Sequence, residues 1–270
     1  MKTLKTVAVI LSLLMTLGFA GAASAQIFTG FYDFAGTQYT DDFTDVRRGS
    51  QIDGGAPDLG GTLHSALNFT GQAGPAGDTW LTKWSPPGAL AHFNGRCGTG
   101  VAASILIHPF NNRKGAGLVA LLNDADPGDK GLALIVYDNG NTDAIQLATI
   151  DPFTGKLAPV PHPFNNFPLL ARIKENAWYA VLMEITVDLA FDGHSLLVEA
   201  AVISLQDPMD PTSDFDHVIG GMRLRTPLEA LGLQPQGQVG IMASAISSVV
   251  DSSVTNWIAA EGFEGPCSAE

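Results

Sequence analysis

Three groups of residues in this chain have the types and spacing that do chemistry. In the stretch Asn176 to Gln206, Glu184, Thr186 and Asp188 fall at alternate positions and Glu199 follows on the next segment. Alternate residues of a strand share a face. Carboxylate pairs are the equipment of glycoside hydrolysis, and the retaining route wants them about 5 Å apart. Glu184 and Asp188, four residues apart on a strand, would sit roughly 13 Å apart along it. Glu199 on the returning strand is a candidate to complete a pair. The alternative is that all of these carboxylates lie on the solvated outer face of a sandwich strand.

The second group is a repeat: His108-Pro-Phe-Asn-Asn112 recurs as His162-Pro-Phe-Asn-Asn166. Proline blocks a ladder and asparagine favours turns, so shared turn chemistry accounts for both copies. Read as a binding element, Phe110 and Phe164 are stacking surfaces, with the amides of Asn111 and Asn165, beside His108 and His162, as partners for sugar hydroxyls. Trp80 and Trp84 share one strand face and are either a further exposed aromatic pair or core. The third group is the loop Asn123 to Asp129, where Asp124, Asp126 and Asp129 are candidate ligands for a structural calcium. That loop lacks the spacing and terminal glutamate of an EF-hand, and the same residues also build ordinary hairpin loops. No nucleophile elbow, zinc-protease helix, phosphate-binding loop or dinucleotide-binding glycine motif occurs.

The elements that must position these residues are strands. Tyr179, Val181, Met183, Ile185 and Val187 alternate with Glu184, Thr186 and Asp188 over Trp178 to Val187, which predicts a long half-buried strand. Asp192-Gly193 suits a tight turn, and Ser195 to Ser204 runs back as the second arm of a hairpin. Leu63 to Thr70, Thr79 to Trp84, Val101 to His108, Ala116 to Leu122, Gly131 to Tyr137 and Ala144 to Ile150 are further β-rich runs. Gly49 to Gly61 and Pro86 to Gly100 read as loops, and Thr226 to Leu233 as the one short helix, with Thr226 and Pro227 at its N-terminus. A single apolar face this long needs a second layer. The expected fold is all-β: an antiparallel two-sheet β-sandwich with one short helix.

Residues 1–25 read as a signal peptide, with Lys2 and Lys5, an apolar stretch from Val7 to Ala20 and an Ala23-Ser24-Ala25 cleavage signal. The expectation is a secreted or periplasmic chain without a membrane anchor, residues 26–270 forming one domain. Loss of Lys2 and Lys5 moves the formal charge from −13 to −15, which disfavours nucleic acid as a partner. Cys97 and Cys267 are the only cysteines, and export makes a disulfide between them the expectation. It would close a 170-residue loop. The chain-entropy model credits such a loop with roughly 5 kcal/mol. Asn68-Phe69-Thr70 fits a glycosylation acceptor.

The order of these segments resembles the concanavalin A-like lectin/glucanase superfamily, in particular its laminin G-like jelly rolls. The resemblance rests on Asp41-Asp42-Phe43, the paired segments Gly117 to Asp124 and Gly131 to Asp138, Trp178-Tyr179 with its hairpin, and Gly237 to Ser244 followed by Val254 to Ala259. It spans nearly all of residues 26–270. It implies two curved sheets face to face, first and last strands side by side, and a concave sheet offering a carbohydrate groove. It also implies Asp41 and Asp42 as a second calcium candidate. The implied function is binding of carbohydrate or a surface polymer without catalysis. The alternatives are a glycoside hydrolase using groove carboxylates and a structural or adhesive surface protein.

Overall fold

A computed structural model describes residues 28–32, 43–47, 51–57, 63–68, 79–84, 93–94, 100–109, 114–137, 143–161, 166–173, 179–188, 195–204, 217–245 and 252–261. Along the chain these form β1 Phe28–Tyr32, β2 Phe43–Arg47, β3 Gln51–Pro57, β4 Leu63–Asn68, β5 Thr79–Trp84, β6 Phe93–Asn94, β7 Gly100–Pro109, β8 Lys114–Leu122 and β9 Gly131–Tyr137. There follow β10 Ala144–Ile150, β11 Leu157–Pro159, β12 Asn166–Pro168, β13 Tyr179–Asp188, β14 Ser195–Ser204, β15 His217–Pro227, the helical turn α1 Leu228–Leu231, β16 Gln236–Ala245 and β17 Ser252–Glu261. An eight-stranded sheet runs β15-β14-β13-β7-β17-β4-β3, with β1 also on β17; a nine-stranded sheet runs β11-β10-β9-β8-β16-β5-β2, with β12 on β10 and β6 on β16. The pairings are antiparallel, and Phe28 of β1 stands opposite Glu261 of β17. The expected two-sheet sandwich, with its first and last strands adjacent, is the observed one.

Alternation along β13 decides the packing. Tyr179, Val181, Met183 and Ile185 are 2% exposed or less and meet Trp80, Leu118, Leu134, Leu147 and Ile241 of the nine-stranded sheet. A slip of one residue would bring Glu184 and Thr186 between the sheets, a desolvation cost that hydrogen bonding in the hairpin does not offset.

The nine-stranded sheet is buried on its other face as well. Leu81, Val119, Leu122, Ala133, Ile135, Ala148, Ile150 and Met242 form a second cluster, none more than 1% exposed, against which Val46 of β2 and Leu157 of β11 both pack. Those two residues come from opposite ends of the strand order, so the sheet rolls over this face. The turn after β10 completes the closure: Arg47 Nη1 donates to the Phe153 carbonyl at 2.9 Å, and Thr79 Oγ1 donates to that of Gly155 at 3.1 Å. Glycines allow the tight approach, since a Cβ on Gly117 would lie 1.8 Å from the Leu134 carbonyl oxygen and one on Gly240 2.1 Å from that of Thr82. A bulge between Gln238 and Gly240 adds to the bend.

Three expectations are corrected. Gln51–Pro57, inside the stretch read as a loop, is edge strand β3, whose register breaks between Asp53 and Ala56 where the two glycines fall. An edge tolerates both that irregularity and a terminal proline. The stretch Pro86 to Gly100 contains the short strand β6 on β16. Finally, Thr226 is buried in β15 opposite Leu196 instead of capping a helix. The helix is a single turn behind Pro227, which supplies no side-chain cap, and Gly232 at φ 64° closes it. Among the described residues no helix is long and apolar enough to cross a membrane.

Candidate functional site

The face of the eight-stranded sheet that points away from the core carries the carboxylates. Strand pairing sets Glu184 of β13 opposite Glu199 of β14, Glu199 opposite Arg223 of β15, and Glu184 opposite Ala102 of β7. Thr186, Leu197 and Arg225 form the next row. Directly opposed residues in an antiparallel pair have Cβ atoms about 5 Å apart, so Glu184 and Glu199 can share a proton, a cation or a hydroxyl-bearing ligand. Arg223 Nε lies 3.2 Å from Glu199 Oε1, with the arginine side chain well exposed and the glutamate partly so. Burial, followed by the charge of Glu199, pushes the half-buried Glu184 carboxyl above its ordinary range. Toward the other end of the same face Ala180, Leu182 and Ile203 are buried, so the polar rows occupy the open end.

Glu184 and Asp188 stay at i and i+4 of one strand and do not converge; the Asp188 side chain lies outside the described residues. The partner of Glu184 is Glu199, and Arg223 completes the row. A two-residue turn at Asp192-Gly193 would have set Glu184 opposite Ala201, whereas the observed register sets it opposite Glu199. The hairpin was therefore legible while the pair depended on where its turn falls.

Of the two readings of the tryptophans, the core one is the observed one. Trp80 and Trp84 are 0% and 4% exposed and belong to the core between the sheets, because β5 runs between β16 and β2 and their spacing turns both inward. Neither ring presents a face to a ligand. His108 occupies β7 opposite Ser253 of β17; its side chain, and Phe110, Asn111, His162, Phe164 and Asn165, lie outside the described residues, as do Asp41, Asp42, Cys97 and Cys267.

The acidic loop uses its oxygens internally. Asp124 Oδ1 and Oδ2 accept from Lys83 Nζ at 2.9 and 2.7 Å, and Asp129 Oδ2 accepts from the amides of Ala125 and Asp126 at 3.0 and 2.8 Å. Asn123 Nδ2 donates to the Gln236 carbonyl at 2.8 Å. Calcium wants six to eight oxygens, and here an ammonium holds the Asp124 carboxylate and backbone amides hold that of Asp129. Among the described residues no group of three or more His, Cys, Asp or Glu could hold a metal.

The outer face of the nine-stranded sheet is filled with aliphatic side chains and bridged by the Asp151–Lys156 turn, whereas on the eight-stranded sheet the rows of Glu184 and Thr186 reach water.

No family model matches the chain, and no curated protein sequence matches it. Among solved structures it is similar to peanut lectin in complex with a nine-residue peptide, at 10% identity and a TM-score of 0.49, over 89% of this chain and 98% of the lectin. It is likewise similar to arcelin-5, a lectin-like defense protein from Phaseolus vulgaris, at 12% identity and a TM-score of 0.48, over 88% of this chain and 100% of that one. A carbohydrate-binding module from Bacillus subtilis matches at 10% identity and a TM-score of 0.40, over 80% of this chain and 93% of the module.

Proposed function

We propose that the protein is an exported β-sandwich that binds carbohydrate or a carbohydrate-rich surface polymer, without catalysis, through the open face of its eight-stranded sheet. One observation carries the reading: Glu184, Glu199 and Arg223 lie side by side across β13, β14 and β15. Carboxylates accept from vicinal hydroxyls and a guanidinium donates to ring and hydroxyl oxygens, so the row matches a polyhydroxylated ligand. The negative formal charge of the chain favours neutral or basic glycans over uronic or sulfated ones. Binding of the wild type to a glycan array, lost in Glu199→Ala together with Arg223→Ala, is the expected result. Absence of any bound glycan, with recovery of a protein partner instead, would turn the reading toward an adhesive surface protein.

A second reading rests on the same pair. Glu184, held toward its protonated form, faces an arginine-paired Glu199, which is the division of labour between a general acid and a nucleophile in retaining glycoside hydrolysis. Release of reducing sugar that is abolished by Glu184→Gln would select it over binding alone.

A further inference from the structure

The turn that closes the nine-stranded sheet carries an exposed aromatic side chain. Phe153 is 47% exposed, whereas Phe43, Trp80, Trp84 and Tyr179 are 6% or less. A lone exposed phenyl is ordinary on a protein surface, but the backbone under this one is fixed from two directions. From within the turn, Asp151 Oδ1 accepts from the amides of Phe153 and Thr154 at 2.9 and 3.0 Å, and Gly155 N donates to the Asp151 carbonyl at 2.8 Å. From across the sheet, Arg47 holds the Phe153 carbonyl and Thr79 that of Gly155. Gly155 sits at φ 71° with no room for a Cβ, which would lie 2.3 Å from Arg47 Nε. Burial alone would raise the Asp151 carboxyl, yet the Thr154 and Phe153 hydrogen bonds and the Arg47 charge outweigh it and lower the carboxyl below its ordinary range.

We propose that Phe153 is a stacking platform for a sugar ring, forming a second carbohydrate subsite on the side of the molecule away from Glu184. The inference rests on the carbohydrate-binding reading above. A pyranose with equatorial hydroxyls has an apolar face of axial C–H groups and a rim of polar oxygens, and the turn has the complementary layout. An exposed phenyl stands among Asp151, Thr154 and Lys156, with Arg47 beneath. A protein partner would need roughly 800 Å² of complementary surface, but the other two large exposed apolar residues, Leu170 and Val218, lie elsewhere, around the Leu170 N to Ile219 carbonyl hydrogen bond of 2.6 Å. Because the turn is already ordered, binding to it loses little conformational freedom.

Affinity electrophoresis through gels containing β-glucan, xylan or galactan tests this with the wild type, Phe153→Ala, Phe153→Trp and Glu199→Ala. On a polysaccharide that retards the wild type, Phe153→Ala should weaken binding about tenfold, while Phe153→Trp should retain it. Both variants should melt with the wild type, since the side chain is largely in water. The losses in Phe153→Ala and Glu199→Ala should combine additively, as expected of separate subsites. Unchanged retardation of Phe153→Ala, or a large drop in its melting temperature, would overturn the platform and leave the sheet face standing. A wild type retarded by no polysaccharide would overturn the carbohydrate reading and the platform with it.

Discussion

The two sheets present opposite kinds of outer face. On the eight-stranded sheet, β15 alternates exposed and buried from Val218 to Pro227 with one interruption at Gly220, and β13 and β14 place Glu184, Thr186, Leu197 and Glu199 half in water. On the nine-stranded sheet, Leu132 to Val136 of β9 and Leu118 to Leu122 of β8 are at most 1% exposed on both faces. Both sheets are antiparallel, so pairing does not cause the difference. Curvature does, because rolling the second sheet until Arg47 and Thr79 reach the β10–β11 turn converts its outer surface into a second core. A face closed in this way cannot be a groove. Among the described residues, polar side chains in partial contact with water lie on the eight-stranded sheet, at the end of the hairpin that carries Glu184, Thr186 and Glu199.

The most disruptive way to test the contrast is to prevent the roll. Gly117→Val places a branched side chain where even a Cβ would lie 1.8 Å from the Leu134 carbonyl oxygen, and backbone must move to admit it. A loss of about 4 kcal/mol or more is expected, enough to abolish folding of a marginally stable domain. Soluble yield and thermal melts by circular dichroism measure it. A melt like that of the wild type would mean that β8 and β9 do not approach so closely.

A smaller effect compares the two outer faces directly. Ile135, 0% exposed on the rolled face, should lose about 2–5 kcal/mol on truncation to alanine, as should Ile185 in the core between the sheets. Leu197, on the open face and only partly buried, should lose about 1 kcal/mol or less on the same change. Denaturant midpoints of the three variants rank them. Equal losses at Ile135 and Leu197 would erase the distinction between closed and open faces.

How far the sequence foretold this contrast depends on periodicity. The alternation of Tyr179 to Ile185 is enough to mark the strand and the face it turns to the core, because only that orientation buries the apolar set. Gly131 to Tyr137 and Ala116 to Leu122 were legible as strands, but their unbroken apolar runs were also the mark of strands buried on both faces. Such runs do not show what covers the second face, so the rolling of the sheet is not legible in them. Gly117 and Gly240 look like any strand glycine until the neighbouring backbone is in place. Trp80 and Trp84 shared a face as expected, yet periodicity does not say which face is wet. Glu199 is a candidate partner from the sequence, but setting it opposite Glu184 needs the hairpin register, and Arg223 needs the next strand as well.

The subtlest test uses the pair itself. The Glu184 carboxyl is raised from its ordinary 4.5 by burial and then by Glu199, so the folded state holds that proton more tightly than the unfolded one. Stability from this group is therefore complete below the ordinary glutamate range and falls as pH rises through the raised value, the reverse of a salt-bridged acid. Glu184→Gln removes the titration. Its stability relative to wild type should increase on going from pH 4 to pH 7, by less than about 1 kcal/mol because the side chain is only half-buried and solvent screens it. Added salt should shrink the part of the increase that comes from Glu199, and Arg223→Ala should enlarge it by leaving the Glu199 charge unbalanced. Denaturant titrations of wild type and Glu184→Gln at several pH values decide the matter. A difference that stays constant with pH would mean that the two carboxyls do not sense each other across β13 and β14, and the open face would lose the feature that sets it apart from ordinary solvated strand surface.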